Sequence, residues 1–201
     1  METLSTIPSV IENGAEWYTG MGTKDSPGTK IFTVSGDVNN PGFFELELGV
    51  TLRELIYDFA GGIKGGKQLK AVLIGGAAGT FVDETVLDTP MGFDSLKEKG
   101  AVLGSGAVMV LDEDKSLPDI TCSILEFFKH ESCGKCVPCR VGMSQLVRMI
   151  HENISGMKNG ASLDEMVAEA DYMARTSLCP LGQSPILPLR SLQRYFADCF
   201  S

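Results

Sequence analysis

Three cysteines fall within seven residues, Cys133-Gly134-Lys135-Cys136-Val137-Pro138-Cys139, and a fourth stands in Cys179-Pro180-Leu181-Gly182. Nothing else constrains the fold so tightly, because the intervening chain must bring the remote thiol back to the other three. A cubane cluster takes one thiolate at each of four corners, and C-x2-C-x2-C with a distant fourth cysteine supplies that. A structural zinc ion more often draws its ligands as two separated pairs, and a three-plus-one split crowds a single tetrahedral ion. The leading reading is a [4Fe–4S] cluster on Cys133, Cys136, Cys139 and Cys179. A zinc-stabilised structural domain and an unligated or disulfide-bonded set stand behind it.

Composition narrows the setting. The start, Met1-Glu2-Thr3-Leu4-Ser5, has no basic and apolar leader, so six cysteines are expected in a reducing, cytoplasmic environment, where clustered thiols bind metal more often than they pair. A net charge of −9 argues against nucleic acid, whose phosphates need clustered Lys and Arg. The longest nearly apolar run, Ala101 to Leu111, is interrupted by glycines and Ser105 and falls short of a membrane span, so no direct membrane insertion is expected. With 43% hydrophobic and 21% charged residues the chain is globular in composition, and 201 residues allow one ordinary domain or two small ones.

The pattern divides the chain into an α+β part and a helical part. Residues 1–28 are rich in turn signals and hold little apolar surface, so they are expected to be the tail of something upstream. Residues 29–115 carry strand candidates at Ile31–Val34, Phe43–Leu48, Lys70–Ile74 and Ala107–Leu111. Between them, Thr51 can cap a helix through Phe59 with Leu52, Leu55, Ile56 and Phe59 on one face. The expected architecture is a small sheet with a helix on one face.

Residues 116–201 turn helical. One face is expected through Ile120, Ile124 and Phe127/Phe128, and a second through Met143, Leu146/Val147, Ile150 and Ile154. Ser162 with Glu165 forms a capping box ahead of Leu163, Met166/Val167, Ala170 and Met173. A last helix runs to about Cys199 with Leu189, Leu192 and Phe196 on one side, its start obscured by Pro185 and Pro188. Four such helices suggest a small bundle, in which alternate connections share an end and the two cysteine segments can meet.

Around the thiols, Gly134 and Gly182 leave room for backbone amides to approach cluster sulfurs. Lys135 and Arg140 place positive charge beside an anionic group, and both effects favour its reduced form. For Lys135 an ordinary solvated charge is an equal reading. Gly61-Gly62-Ile63-Lys64-Gly65-Gly66-Lys67-Gln68 nearly spells a phosphate-binding loop. It lacks the hydroxyl after Lys67, however, and it follows a helix and precedes a strand, the reverse of the order required. Gly75-Gly76-Ala77-Ala78-Gly79 reads as a turn. His130 suits a helix C-terminus, His151 a surface, and Cys122 and Cys199 idle or buried thiols. No arrangement for hydrolytic catalysis stands out.

Glu131-Ser132-Cys133-Gly134-Lys135-Cys136-Val137-Pro138-Cys139-Arg140-Val141-Gly142 resembles the cluster signature of the NADH-oxidising flavoprotein subunit of respiratory complex I and of related NAD(P)-linked hydrogenase and formate dehydrogenase subunits. Ser177-Leu178-Cys179-Pro180-Leu181-Gly182 is similar to that family's fourth-ligand loop, and Gly28–Gly36 with Pro41-Gly42 to its middle module. Asn13-Gly14-Ala15-Glu16-Trp17 resembles the end of its flavin domain. The resemblance implies a ubiquitin-like β-grasp (SLBB-like) domain over 29–115 and a helical [4Fe–4S] domain over 116–201. It also implies a missing upstream domain for FMN and NAD(P)H, found in the parent protein only, so that this piece alone accepts no hydride. The implied role is single-electron transfer beside other subunits of a redox complex, among them a thioredoxin-like 2Fe–2S subunit, in a cytoplasmic peripheral assembly. An interaction module that docks a neighbouring subunit is the alternative from a different class.

Overall fold

The computed structural model describes residues 2–158 and 160–200, in two compact units, Met1–Glu113 and Asp114–Ser201. The first begins with two helices, α1 (Glu2–Asn13) and α2 (Ala15–Thr19), where the sequence alone suggested only a tail. The strands follow as β1 (Thr29–Gly36), β2 (Gly42–Glu47), β3 (Leu69–Ile74), β4 (Thr80–Val82) and β5 (Ala107–Asp112). They form one sheet in the order β2-β1-β5-β3-β4. The central pair β1 and β5 runs parallel, and every other pairing is antiparallel. Alternation sets the faces: Phe32 and Val34 of β1 are buried while Ile31 and Thr33 turn out. Burying side chains such as Phe32 and Leu55, both fully enclosed, stabilises the unit by roughly 1.5–3 kcal/mol each.

Helix α3 opens at Leu52 behind Thr51, whose hydroxyl accepts from the Glu54 N–H while the Glu54 carboxylate accepts from the Thr51 N–H. Its second turn, Leu55–Phe59, widens to a π turn in which the Ala60 N–H reaches back to the Leu55 carbonyl. The wider turn rotates the apolar face. Leu52, Leu55, Ile56 and Ala60 are buried, and Phe59, expected on that face, is 41% exposed. A short helix α4 (Phe93–Glu98) precedes β5.

The near-phosphate loop joins α3 to β3, and the Lys67 ammonium lies 2.9 Å from the buried Asp112 carboxylate on β5. That lysine is engaged inside its own unit. Gly75 and Gly76 sit at φ 93° and 89° in the turn between β3 and β4, a conformation that favours glycine.

The second unit is helical: α5 (Leu117–Glu131), α6 (Val137–Ile154), α7 (Leu163–Thr176), the single turn α8 (Pro180–Gln183) and α9 (Ile186–Tyr195). Helix α6 packs on α5 and α7, and α7 packs on α9. Ser162 and Glu165 form the expected capping box of α7. The core-facing residues of α6 and α7 include Met143, Leu146, Ile150, Met166, Ala170 and Met173, in the phase that the sequence indicated, although Ile154, expected on the same face, is 40% exposed. Helix α5 is rotated from expectation. Its buried line is Leu117, Thr121, Leu125 and Phe128, with Cys122 beside it, and Phe127 is 49% exposed. Small and polar side chains at 121 and 122 concealed that line. Close approach of α6 to α7 depends on Gly142, where a Cβ would stand 2.5 Å from the Met173 sulfur. Among the described residues no helix is long and apolar enough to cross a membrane.

Candidate metal centre

Both cysteine segments are built the same way. Helix α5 ends as Ser132 turns extended (φ −65°, ψ 122°), and the chain passes Cys133 and Gly134 before Cys136 caps α6 with Pro138 in its first turn. Helix α7 ends as Ser177 turns extended (φ −77°, ψ 143°), and Cys179 caps α8 with Pro180 at its start. Proline costs nothing in a first helical turn, where its missing N–H has no helical partner. Cys136 and Cys179 thus each stand in an extended residue directly ahead of a proline-started helix.

The two segments touch. The backbone amide of Leu178, ahead of that of Cys139, holds the Cys136 thiol below the usual thiol range. Gly182 lies against Cys139 and Ser177 so closely that a Cβ there would stand 3.0 Å from the Cys139 Cβ and 2.4 Å from the Ser177 Oγ. Helix α8 also lies against α5 and α6. These contacts bring the segment holding Cys179 to the one holding Cys136 and Cys139.

Their exposure is graded: Cys139 is buried, Cys136 half-buried, and Cys133 and Cys179 exposed. The Ser132 Oγ accepts from the Gly134 N–H at 3.3 Å and lies 3.2 Å from the Cys139 sulfur, to which its hydroxyl donates when that sulfur is a thiolate. Gly134 takes a left-handed φ of 74°, and its carbonyl accepts from the Arg140 guanidinium at 2.6 Å. Arg140 therefore braces the Cys133–Cys136 loop as well as carrying charge beside it.

The donor set fits a cluster. The Ser177 hydroxyl is buried beside Cys139 and has no hydrogen-bond partner among the described residues, although its backbone carbonyl accepts from the Gln183 amide. A buried hydroxyl without a partner is costly, and thiolates or inorganic sulfides are acceptors that would satisfy it. Neither Ser132 nor Ser177 was singled out from the sequence, where serine beside cysteine carries no signal of its own.

Comparison with known proteins points to the same class of metal centre. The family described as NADH-ubiquinone oxidoreductase-F iron-sulfur binding region matches residues 119–201, and the SLBB domain family matches residues 30–110. Residues 30–110 are thus an SLBB domain, and residues 119–201 an F-type iron–sulfur binding region. The chain is 37% identical over 198 residues to the NADP-reducing hydrogenase subunit HndC of Solidesulfovibrio fructosivorans, covering 98% of this chain and 40% of that one. It is 36% identical over 196 residues to an F-type NADH-quinone oxidoreductase subunit of Rhizobium meliloti (strain 1021), covering 98% and 47%. A crystal structure of an NAD+-reducing [NiFe]-hydrogenase in the H2-reduced state superimposes with a TM-score of 0.85 at 33% identity, over 99% of this chain and 33% of that one. The chain thus spans less than half the length of these relatives, and lies in their C-terminal part.

Proposed function

We propose that this chain carries single electrons through a [4Fe–4S] cluster ligated by Cys133, Cys136, Cys139 and Cys179. It would do so as the C-terminal part of an NAD(P)H-oxidising flavoprotein subunit. The observation that carries the reading is the contact of the Leu178–Gly182 segment with Cys136 and Cys139, inside a region matched by the F-type iron–sulfur family. In this reading the strand order supports a ubiquitin-like β-grasp for the SLBB domain, and α5, α6, α7 and α9 make a four-helix bundle with both cysteine segments at one end.

A cluster of this kind supplies reversible one-electron chemistry when bound. The chain's own residues do the rest. Four thiols give up their protons and fix the group, and the Leu178 amide favours the charged form of Cys136. Ser132 offers its proton to Cys139, and Arg140 holds the loop against Gly134. The relatives named as hydrogenase and quinone-reductase subunits support a donor site for NAD(P)H and FMN elsewhere in the full protein. Neighbouring subunits, a thioredoxin-like 2Fe–2S protein among them, would exchange electrons with this one.

Anaerobic reduction with dithionite tests the proposal. The chain is expected to bleach and to give a paramagnetic signal of about one spin per chain. Substituting any of Cys133, Cys136, Cys139 or Cys179 by Ala is expected to abolish that signal, whereas Cys199→Ala leaves it. Full signal in any one of the four variants would refute the ligand set.

A further inference from the structure

Outside the cysteine loops, a second group of metal-ligating side chains meets across α5 and α6. Cys122 and Glu126 stand one turn apart on α5, and His151 faces them from α6. The Glu126 carboxylate is 3.3 Å from the His151 Nε2. The Cys122 sulfur lies 4.0 Å from His151 Nδ1 and 3.8 Å from Nε2. All three ligand atoms fall within 4.8 Å of one another, and among the described residues no other set of His, Cys, Asp and Glu does so.

We propose that Cys122, Glu126 and His151 form a second metal site, for one divalent cation of the zinc class, that staples α5 to α6. A thiolate, an imidazole and a carboxylate are ligands that zinc takes at about 2.0–2.3 Å. Two ligands at that range lie at most about 4.6 Å apart, so the observed spacing is already close to that of a single ion. The thiolate argues against calcium and magnesium, which prefer oxygen.

Three protein ligands leave a fourth position for water, and the exposure of His151 and Glu126, 55% and 56% at their side chains, opens that position to solvent. Because the sulfur is nearly equidistant from both ring nitrogens, neither is committed to it, and a turn of the exposed ring aims one at the ion. On binding, the Cys122 S–H bond breaks, a Zn–S bond forms, and the proton passes to buffer. Burial first, then the carboxylates of Glu126 and Asp119, keep that proton on the free thiol.

The site draws on none of the four cluster cysteines. Cys122 stands nine positions before Glu131 on α5, about 14 Å of helix rise. It joins the two helices whose connection holds Cys133, Cys136 and Cys139, so an ion there would stiffen the frame of that connection.

The test is a calorimetric titration of the cluster-loaded chain with zinc chloride under argon, with iron counted before and after. One zinc per chain is expected to be retained with iron unchanged. His151→Ala and Cys122→Ser should each weaken binding at least about tenfold, while Cys199→Ser leaves it intact. His151→Ala removes an exposed side chain, so its result stands even where Cys122→Ser disturbs packing. The site is overturned if no zinc is retained, if it enters only as iron leaves, or if His151→Ala binds as tightly as the parent chain.

Discussion

Ser132 and Ser177 are the side chains best placed to set the electronic character of the cysteine centre. Once Cys139 is a thiolate, which can only accept, Ser132 is the donor across their 3.2 Å contact, while its oxygen accepts from the Gly134 N–H. Ser177 is buried beside the same cysteine with its hydroxyl unspent. A proton donated to a thiolate or sulfide withdraws electron density and stabilises the added electron. Ser132→Ala and Ser177→Ala are each expected to lower the midpoint potential by tens of millivolts, on a scale where about 59 mV is a tenfold change in the one-electron equilibrium. Thr at either position should restore part of the shift, and redox titration of the paramagnetic signal reads both. Gly182→Ala acts by crowding. A Cβ 2.4 Å from Ser177 and 3.0 Å from Cys139 must push the two segments apart, and cluster occupancy after reconstitution should fall.

At the scale of elements, the helices around the centre are held by close packing and by their ends. Gly142→Val drives a side chain into the Met173 sulfur and should cost about 1–3 kcal/mol in urea unfolding through overpacking. Ser162→Ala removes half of a capping box and should cost about 1 kcal/mol. Features of this kind were legible beforehand, because capping boxes and cysteine spacing are written in neighbouring residues. The cap expected at Thr51 and the box expected at Ser162 both form, and α6 and α7 bury the faces that their periodicity marks except at Ile154, which is 40% exposed.

The misreadings arose where geometry departs from 3.6 residues per turn or where small side chains occupy the core. The π turn at Leu55–Phe59 moved Phe59 outward, and Thr121 and Cys122 hid the true face of α5. Strand β4, with three residues, is too short to show a period, and Pro8 disguised α1. The Cys122–Glu126–His151 group was invisible because His151 lies 25 residues beyond Glu126, from 126 to 151, and reaches the other two only through helix packing.

Across the whole molecule, the two compact units draw stability from different sources. The first rests on a sheet and its buried side chains, with no cysteine among its residues. The second holds all six cysteines, and metal bound to a folded site adds its binding free energy to that fold. Stripping iron with a chelator under reducing conditions should therefore lower the melting of residues 114–201 and leave that of residues 1–113 in place. Calorimetry of the intact chain would resolve this as one transition that moves and one that does not. The central claim is that four thiols hold one cubane cluster, and the most direct measurement is the iron and zinc content of a single anaerobic preparation. The account expects a brown protein with about four irons per chain and sulfide in equal amount. A colourless protein, with one zinc held by those four cysteines, would contradict it.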